Sequence, residues 1–260
     1  MKTLLIVILA FTSLSCIAQK QKAGSFVCPP CNGGCDDSVY AKAGKCPHCG
    51  MQLVSKSSVK KPGKQLTVCF YLQDGVEALD FAGPLEVFSY AGFRIFTVSK
   101  TKAIINSQGV LKVTPDYDIN DAPAFDILAV FGGNSGNASN DPAVISWIQS
   151  RKSSIQYYFS VCTGAFILAK AGILDKLTIT TFHLSIDDLK KAVPSANVLA
   201  NKRFVDNGTV ITTAGISAGI DGALHLVSKL DGDEGAKQIA AYMEYDKWVP
   251  GQGLIITAKK

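Results

Sequence analysis

The sequence predicts an α/β domain on a largely parallel sheet, preceded by a small cysteine-rich, zinc-ribbon-like module, and three observations carry that expectation. From Leu66 onward, short β-branched or aromatic runs alternate with helical patterns, as repeated strand–helix units require. Ahead of them, Cys28-Pro29-Pro30-Cys31 and Cys46-Pro47-His48-Cys49 form two close cysteine pairs in a stretch too short to build a core without metal or disulfides. Between the two parts, residues 55–64 are rich in Ser, Lys, Pro and Gly, the composition of a solvated tether. A chain of 260 residues has room for one ordinary domain and such a module, and 47% hydrophobic against 18% charged residues excludes a disordered or fibrous chain.

Taken from the N-terminus, Lys2, the apolar stretch Leu4 to Leu14 and the small residue Ala18 follow the order of a secretory signal, so residues 1–18 are expected to be removed and the mature chain to work outside the cytoplasm, periplasmic or secreted. Cys16 offers a second route, a lipoprotein anchor, although Ser13-Leu14-Ser15 is a poor match to the signal for lipidation. No other apolar run is long enough to span a bilayer. The formal charge of +5 is local: residues 1–64 hold nine lysines and two aspartates, whereas the remainder holds 17 basic and 19 acidic residues. The main domain is thus close to neutral, which argues against a polyanion-binding surface there.

The module is expected over residues 26–54. Two knuckles of this type can point Cys28, Cys31, Cys46 and Cys49 at one metal, zinc or copper, because each tight turn aims both sulfurs to one side. Cys35 is a further candidate, and His48 a soft ligand or a surface residue. Disulfides remain open in an exported chain, although five cysteines cannot all pair internally. Gly44 to Leu53 resembles the second half of a heavy-metal-binding domain found beside copper and cation exporters; the first half departs, with Cys28-Pro29-Pro30-Cys31 where that family has Cys-Pro-Met-His.

In the main domain, residues 65–260, strands are expected at Leu66–Leu72, Arg94–Lys100, Asp126–Phe131, Ile155–Val161 and Thr209–Thr213. Helices are expected at Pro84–Ala91, Pro142–Arg151, Thr163–Ala171, His183–Ala192 and Ser217–Leu230. Cys69, inside the first strand, reads as a small buried apolar residue. Cys162 is different: a strand runs into it and a helix starts directly after it, which places a thiol at the sheet's carboxyl edge and a helix N-terminus, where thiolate is favoured. Gly164 allows close approach at that elbow. Asp80 follows the first strand and reaches the same edge, beside apolar Leu79 and Phe81. Gly132 and Gly133 end another strand, as bare amides for a developing anion or as a simple turn.

Five segments, Asp80 to Phe88, Val130 to Gly136, Ser160 to Phe166, Gly172 to Thr181 and Thr213 to Ala223, resemble in order the ThiJ/PfpI family of class I glutamine amidotransferase-like domains, nearest the branch of isonitrile hydratases and AraC-type regulators. The resemblance covers residues 65 to 248. It implies a flavodoxin-like three-layer sandwich, usually a homodimer, with Cys162 as nucleophile, Asp80 as the acid over it and Thr163 as the hydroxyl residue beside it. Relatives that act as proteases or glyoxalases carry histidine after the cysteine; Thr163 stands there here, so a Cys-His dyad of neighbours is absent, which disfavours protease activity. The regulator branch reads Thr-Thr-His-Trp after the fourth strand, whereas Thr180-Thr181-Phe182-His183 shifts the histidine by one, leaving His183 either near Cys162 or at a helix cap. His225 reads as packing on the last long helix.

The expected activity is attack of Cys162 on a small electrophilic substrate, with isonitrile hydration the best-named reaction and no cofactor needed in the main domain. The rival is a metal- or redox-sensing protein using the cysteine module and an oxidisable Cys162. A DNA-binding regulator is not expected, since the chain ends at Lys260 with no room for a helix-turn-helix after the last helix.

Overall fold

The computed structural model describes residues 26–28, 34–35, 38–56, 65–246 and 248–257. The expected signal, Cys16, Cys31 and most of the tether lie outside the described residues. In the module, β1 (Phe26–Val27) pairs antiparallel with β2 (Val39–Tyr40) and with β3 (Val54–Ser55). Cys28, Cys35, Cys46, Met51 and Leu53 are its buried interior, and Phe26 and Tyr40 close it from outside.

The main domain opens with β4 (Thr67–Tyr71), then α1 (Ala78–Tyr90), β5 (Arg94–Ser99), the hairpin β6 (Ile105–Ser107) and β7 (Leu111–Val113), and the edge strand β8 (Tyr117–Asp118). The chain then returns to the centre with β9 (Ile127–Val130), α2 (Gly136–Ser139), α3 (Pro142–Ser150), β10 (Tyr157–Ser160) and α4 (Ala165–Lys170). A short parallel pair, β11 (Thr178–Ile179) with β12 (Asn197–Val198), flanks α5 (Ile186–Ala192). β13 (Phe204–Asp206), β14 (Val210–Thr213), α6 (Ala218–Asp231), α7 (Asp233–Tyr242) and β15 (Leu254–Ile255) complete it.

Eight strands form one sheet in the order β15-β13-β14-β10-β9-β4-β5-β8. Every pairing is parallel except β13 with β14. Central strands must bury both faces, which is why β4, β9, β10 and β14 are nearly continuous apolar runs. One face packs Tyr71, Leu128 and Val130 against α3, α4 and α5; the other packs Phe70, Ala129 and Phe159 against α1, α6 and α7. The three layers expected are therefore present. After β4 the chain moves outward to β5 and β8, then returns to the other side of β4 as β9. The strand order reverses there, so the carboxyl ends of β4 and β9 form the crevice where such sheets carry their sites.

The first helix corrects an expectation. Pro84 was expected to open it, since proline fits a first turn, but α1 begins at Ala78 and holds Pro84 in its interior. Asp80 consequently sits in the first helical turn rather than in a preceding loop. Phe88 fixes the roll of this helix, meeting Phe70 and Phe159 edge-on at 6.2 and 5.6 Å between ring centroids. Packing on one end of α1 thereby sets where Asp80 points at the other.

Candidate active site and cysteine cluster

Cys162 follows β10 with φ +58°, a left-handed conformation that an L-residue holds only when its surroundings impose it. Three bonds do so. The Cys162 amide donates to the Ala214 carbonyl (3.1 Å), the Cys162 carbonyl accepts from the Thr181 hydroxyl (2.7 Å), and the Gly164 amide donates back to the Val161 carbonyl (2.9 Å). The helix expected to start at Thr163 begins as a single 3-10 turn, Cys162–Gly164, before α4. Gly164 is needed at this elbow, because a Cβ there would stand 2.5 Å from the Val130 carbonyl oxygen.

Asp80 is fully buried beside the sulfur, and its two oxygens are held separately. Oδ2 accepts from the Gly132 amide (2.8 Å) and Oδ1 from the Ile216 amide (3.0 Å). Ile216 reaches that position with φ +58°, a strained setting for a β-branched residue. A Cβ on Gly132 would fall 2.7 Å from Asp80 Oδ2 and 2.8 Å from Cys162 Sγ, so only glycine lets carboxyl and thiol meet here. This also corrects the expectation for Gly132: its amide is occupied by Asp80 and does not face a reacting oxygen. Gly133 turns away with φ +82° and is exposed.

Burial pushes the Asp80 carboxyl up to about 6, only partly opposed by the two amides, with the Glu77 charge adding to the rise. Burial, then the Asp80 charge, pushes the Cys162 thiol up to about 12, although the Thr163 amide pulls the other way. The helix N-terminus was expected to yield thiolate; burial of the sulfur, together with the Asp80 charge beside it, outweighs the helix start. At neutral pH the pair is therefore a thiol donating to a carboxylate, the starting state for general-base activation. Thr163 is half-buried, and its hydroxyl donates to the Gly133 carbonyl at 3.4 Å.

His183 is exposed, its ring 4.4 Å from that of Phe182. Phe182 is the side chain packed against the core cluster that contains Cys162. His225 is buried elsewhere, stacked on Phe204 and bonded through Nε2 to Asp206 at 2.8 Å. Two contributors are not among the candidate residues read from the sequence. One is the Ile216 amide. The other is Gln73, whose Nε2 donates to the Phe131 and Gly132 carbonyls (3.0 and 2.9 Å) and so pins the strap carrying the Gly132 amide.

In the module, the sulfurs of Cys28, Cys35, Cys46 and Cys49 lie within 4.8 Å of one another, with Cys28 and Cys49 3.2 Å apart and Cys35 and Cys28 3.7 Å apart. A tetrahedral zinc with Zn–S bonds of about 2.3 Å needs sulfurs roughly 3.8 Å apart, so the four fit that ion. Burial alone would raise Cys46, but the amides of Cys49 and His48 and the Tyr40 hydroxyl bring it down to about 6, which suits a metal-bound thiolate. Cys35, a further candidate in the sequence, is one of the four, and Cys31 is outside the described residues. His48 is exposed and contributes its amide rather than its ring.

A doubly wound α/β sandwich with a strained cysteine at a strand–helix elbow and a buried carboxyl on its sulfur defines the class of protein. The chain belongs to the DJ-1/PfpI family, whose model matches residues 66–229, and it carries a heavy metal binding domain at residues 26–56. It is 33% identical over 183 residues to an isonitrile hydratase of Pseudomonas putida, covering 69% of this chain and 78% of that protein. It is 24% identical over 188 residues to the HTH-type transcriptional regulator GbdR of Pseudomonas aeruginosa, covering 70% of this chain but 51% of the regulator. Among solved structures, a ThiJ/PfpI family protein from Pseudomonas syringae superposes with a TM-score of 0.66 at 27% identity, covering 72% of this chain and 78% of that one. Drosophila melanogaster DJ-1beta superposes at 0.62 with 20% identity over 70% of this chain and 98% of that one, which speaks to the fold alone.

Proposed function

We propose that the main domain is a cysteine-dependent enzyme acting on small electrophiles, and that its reaction is hydration of an isonitrile to an N-substituted formamide. The observation that carries this reading is the Asp80–Cys162 pair, a buried carboxyl raised to about 6 in contact with a thiol at a strained elbow. Similarity to the isonitrile hydratase supports the choice of substrate.

Asp80 takes the proton of Cys162 as the sulfur bonds to the terminal isonitrile carbon, then delivers that proton to the same carbon, leaving a thioimidate on Cys162. Asp80, a carboxylate again, removes a proton from water as its oxygen attacks the carbon. The C–S bond breaks, the sulfur recovers a proton, and the tautomer released is R–NH–CHO. The net change is addition of one water. Asp80 is well placed for both transfers, because the Gly132 and Ile216 amides hold its oxygens while its partner sulfur stays in contact. Exposed Leu79, Leu184 and Ile216 give the mouth an apolar rim suited to an organic substituent.

Cys28, Cys35, Cys46 and Cys49 would hold a zinc ion, with copper(I) as the soft competitor, and the ion's chemistry there would be to cross-link a module that has little core. The module packs on Tyr90 at the C-terminal end of α1, whereas Asp80 is at the other end of that helix. At 1.5 Å per residue the two centres are separated by most of a helix roughly 20 Å long, so within one chain they work apart. Export and homodimerisation belong to the same proposal; the residue 1–18 pattern supports the first, and exposed Ile104, Val110 and Leu111 around the β6–β7 hairpin support the second.

Purified mature protein assayed with small isonitriles should form the formamide, and Cys162→Ser should abolish it. Turnover that survives loss of Cys162 would sink the enzyme reading. Metal analysis under reducing conditions should find one ion per chain, and a metal-free module with every thiol bridged would refute the zinc assignment.

A further inference from the structure

The residue that takes the histidine's place in the site is better defined than the histidine itself. Thr180 is anchored twice, its amide donating to the Thr212 hydroxyl (3.0 Å) and its hydroxyl to the Leu199 carbonyl (2.8 Å). Thr181 is anchored to the backbone of Cys162 itself. The chain therefore leaves this segment in a fixed direction, and the extended Phe182 (φ −52°, ψ 135°) has its ring set over Gly215. A Cβ built on Gly215 would stand 2.5 Å from Phe182 Cδ2 and 3.4 Å from Cys162 Sγ, so the ring edge lies directly on Gly215 and walls one side of the sulfur. Only glycine lets the ring come that close. His183, one residue on, faces out.

The electrostatics are one-sided. The charges foremost in their effect on Cys162 and Asp80 are carboxylates, their own pair and Glu77. An anionic substrate would meet like charge in a poorly solvated site, whereas an uncharged one would not.

We propose that Phe182 is the specificity-determining residue of this site. Its ring narrows the approach to Cys162, so that the end of a slim, uncharged electrophile reaches the sulfur while an aromatic group carried behind the reacting carbon is held off. The proposal rests on Cys162 being the nucleophile and not on the isonitrile as such.

Alkylation at Cys162 tests it without any turnover, since a haloacetamide needs only that the sulfur bond to carbon as iodide leaves with the electron pair and the thiol proton passes to Asp80. Full-length mature protein is treated with iodoacetamide, N-phenyliodoacetamide or iodoacetate, and labelling of the Cys162 peptide is followed by mass spectrometry, which separates it from the module's cysteines. Wild type should react with iodoacetamide and at least ~10-fold more slowly with each of the other two. Phe182→Ala should raise the N-phenyl rate by ~10-fold or more while iodoacetamide stays within ~2-fold, and iodoacetate should remain slow because the carboxylates are untouched. Phe182→Leu, which keeps most of the packing, should fall between.

Equal N-phenyl to iodoacetamide rate ratios in wild type and both variants would overturn the proposal. So would a Cys162 that stays unreactive to iodoacetamide when the ring is gone. If the ratios shift as expected but no isonitrile is hydrated, the hydratase reading fails and Phe182 keeps its role. If isonitriles are hydrated with the same size preference in Phe182→Ala, the role of Phe182 fails alone.

Discussion

Asp80 should make the fold lose stability as pH rises, the reverse of an ordinary salt-bridged aspartate. Its folded-state pKa is about 6 against a model value of 3.8. Below roughly pH 4 the group is protonated whether the chain is folded or not, and stability is unaffected. Between about 4 and 6 the unfolded chain has released the proton that the folded chain still holds, so stability falls; above about 6 the loss is complete. A shift of about two units corresponds to about 3 kcal/mol, since each unit is worth 1.36 kcal/mol. The group is fully buried, so solvent screening takes little from that figure. Asn does not titrate, but its NH2 must face the Gly132 or the Ile216 amide, so Asp80→Asn should be less stable than wild type near pH 4 and should regain about 3 kcal/mol relative to wild type by pH 8. Asp231, likewise buried and raised to about 6, tilts the wild-type curve in the same direction, but it is present in both proteins and cancels in the difference. Urea denaturation of both proteins at several pH values, under reducing conditions and with the metal content held constant, measures it. A stability difference that does not change with pH would refute the claim that burial strains this carboxylate, and with it the reason for calling Asp80 a poised base.

The other predictions are more direct. The pH profile of kcat/KM should show an acid limb near 6, where protonated Asp80 cannot accept the thiol proton, and a limb displaced to the usual carboxylate range would assign it elsewhere. Gly132→Ala should cost about 1–3 kcal/mol in thermal or urea melts and remove activity, because its Cβ would lie 2.7 Å from Asp80 Oδ2. Cys35→Ser should lower bound metal measured by mass spectrometry, while His48→Ala should leave it unchanged, since the sulfur of one and only the backbone amide of the other faces the cluster.

What could be read in the sequence followed how locally each feature is encoded. Strands β4, β9, β10 and β14 announce themselves because both faces are buried and the runs are apolar throughout. The short outer strands β8, β13 and β15, two or three residues each, leave no pattern of their own. Pro84 misleads for the same reason: local propensity puts it in a first turn, and only the aromatic packing of Phe88 with Phe70 and Phe159 holds the helix beyond it. Cysteine spacing marked the two close pairs and left Cys35 only a further candidate, because what carries Cys28 beside Cys49 and Cys35 beside Cys28 is the folding of the module around the β1–β3 pairing.

The elbow shows where such reading stops. Strand, cysteine and helix start are contiguous, so Cys162 was legible as a candidate nucleophile, and Asp80 reached it through position relative to the first strand. Charge state was not legible. It depends on Gly132, Ile216 and Asp80, which come from three segments and meet only in the folded protein. A helix N-terminus alone argues for thiolate; burial of the sulfur, with the Asp80 charge beside it, reverses the sign and keeps the proton on Cys162. The consequence is chemical. A thiol with a carboxylate base attacks only as its proton is taken, so reactivity is coupled to a substrate lying against the sulfur, whereas a standing thiolate would be open to any oxidant that reached it. The same coupling favours the enzyme reading of this site over a redox sensor.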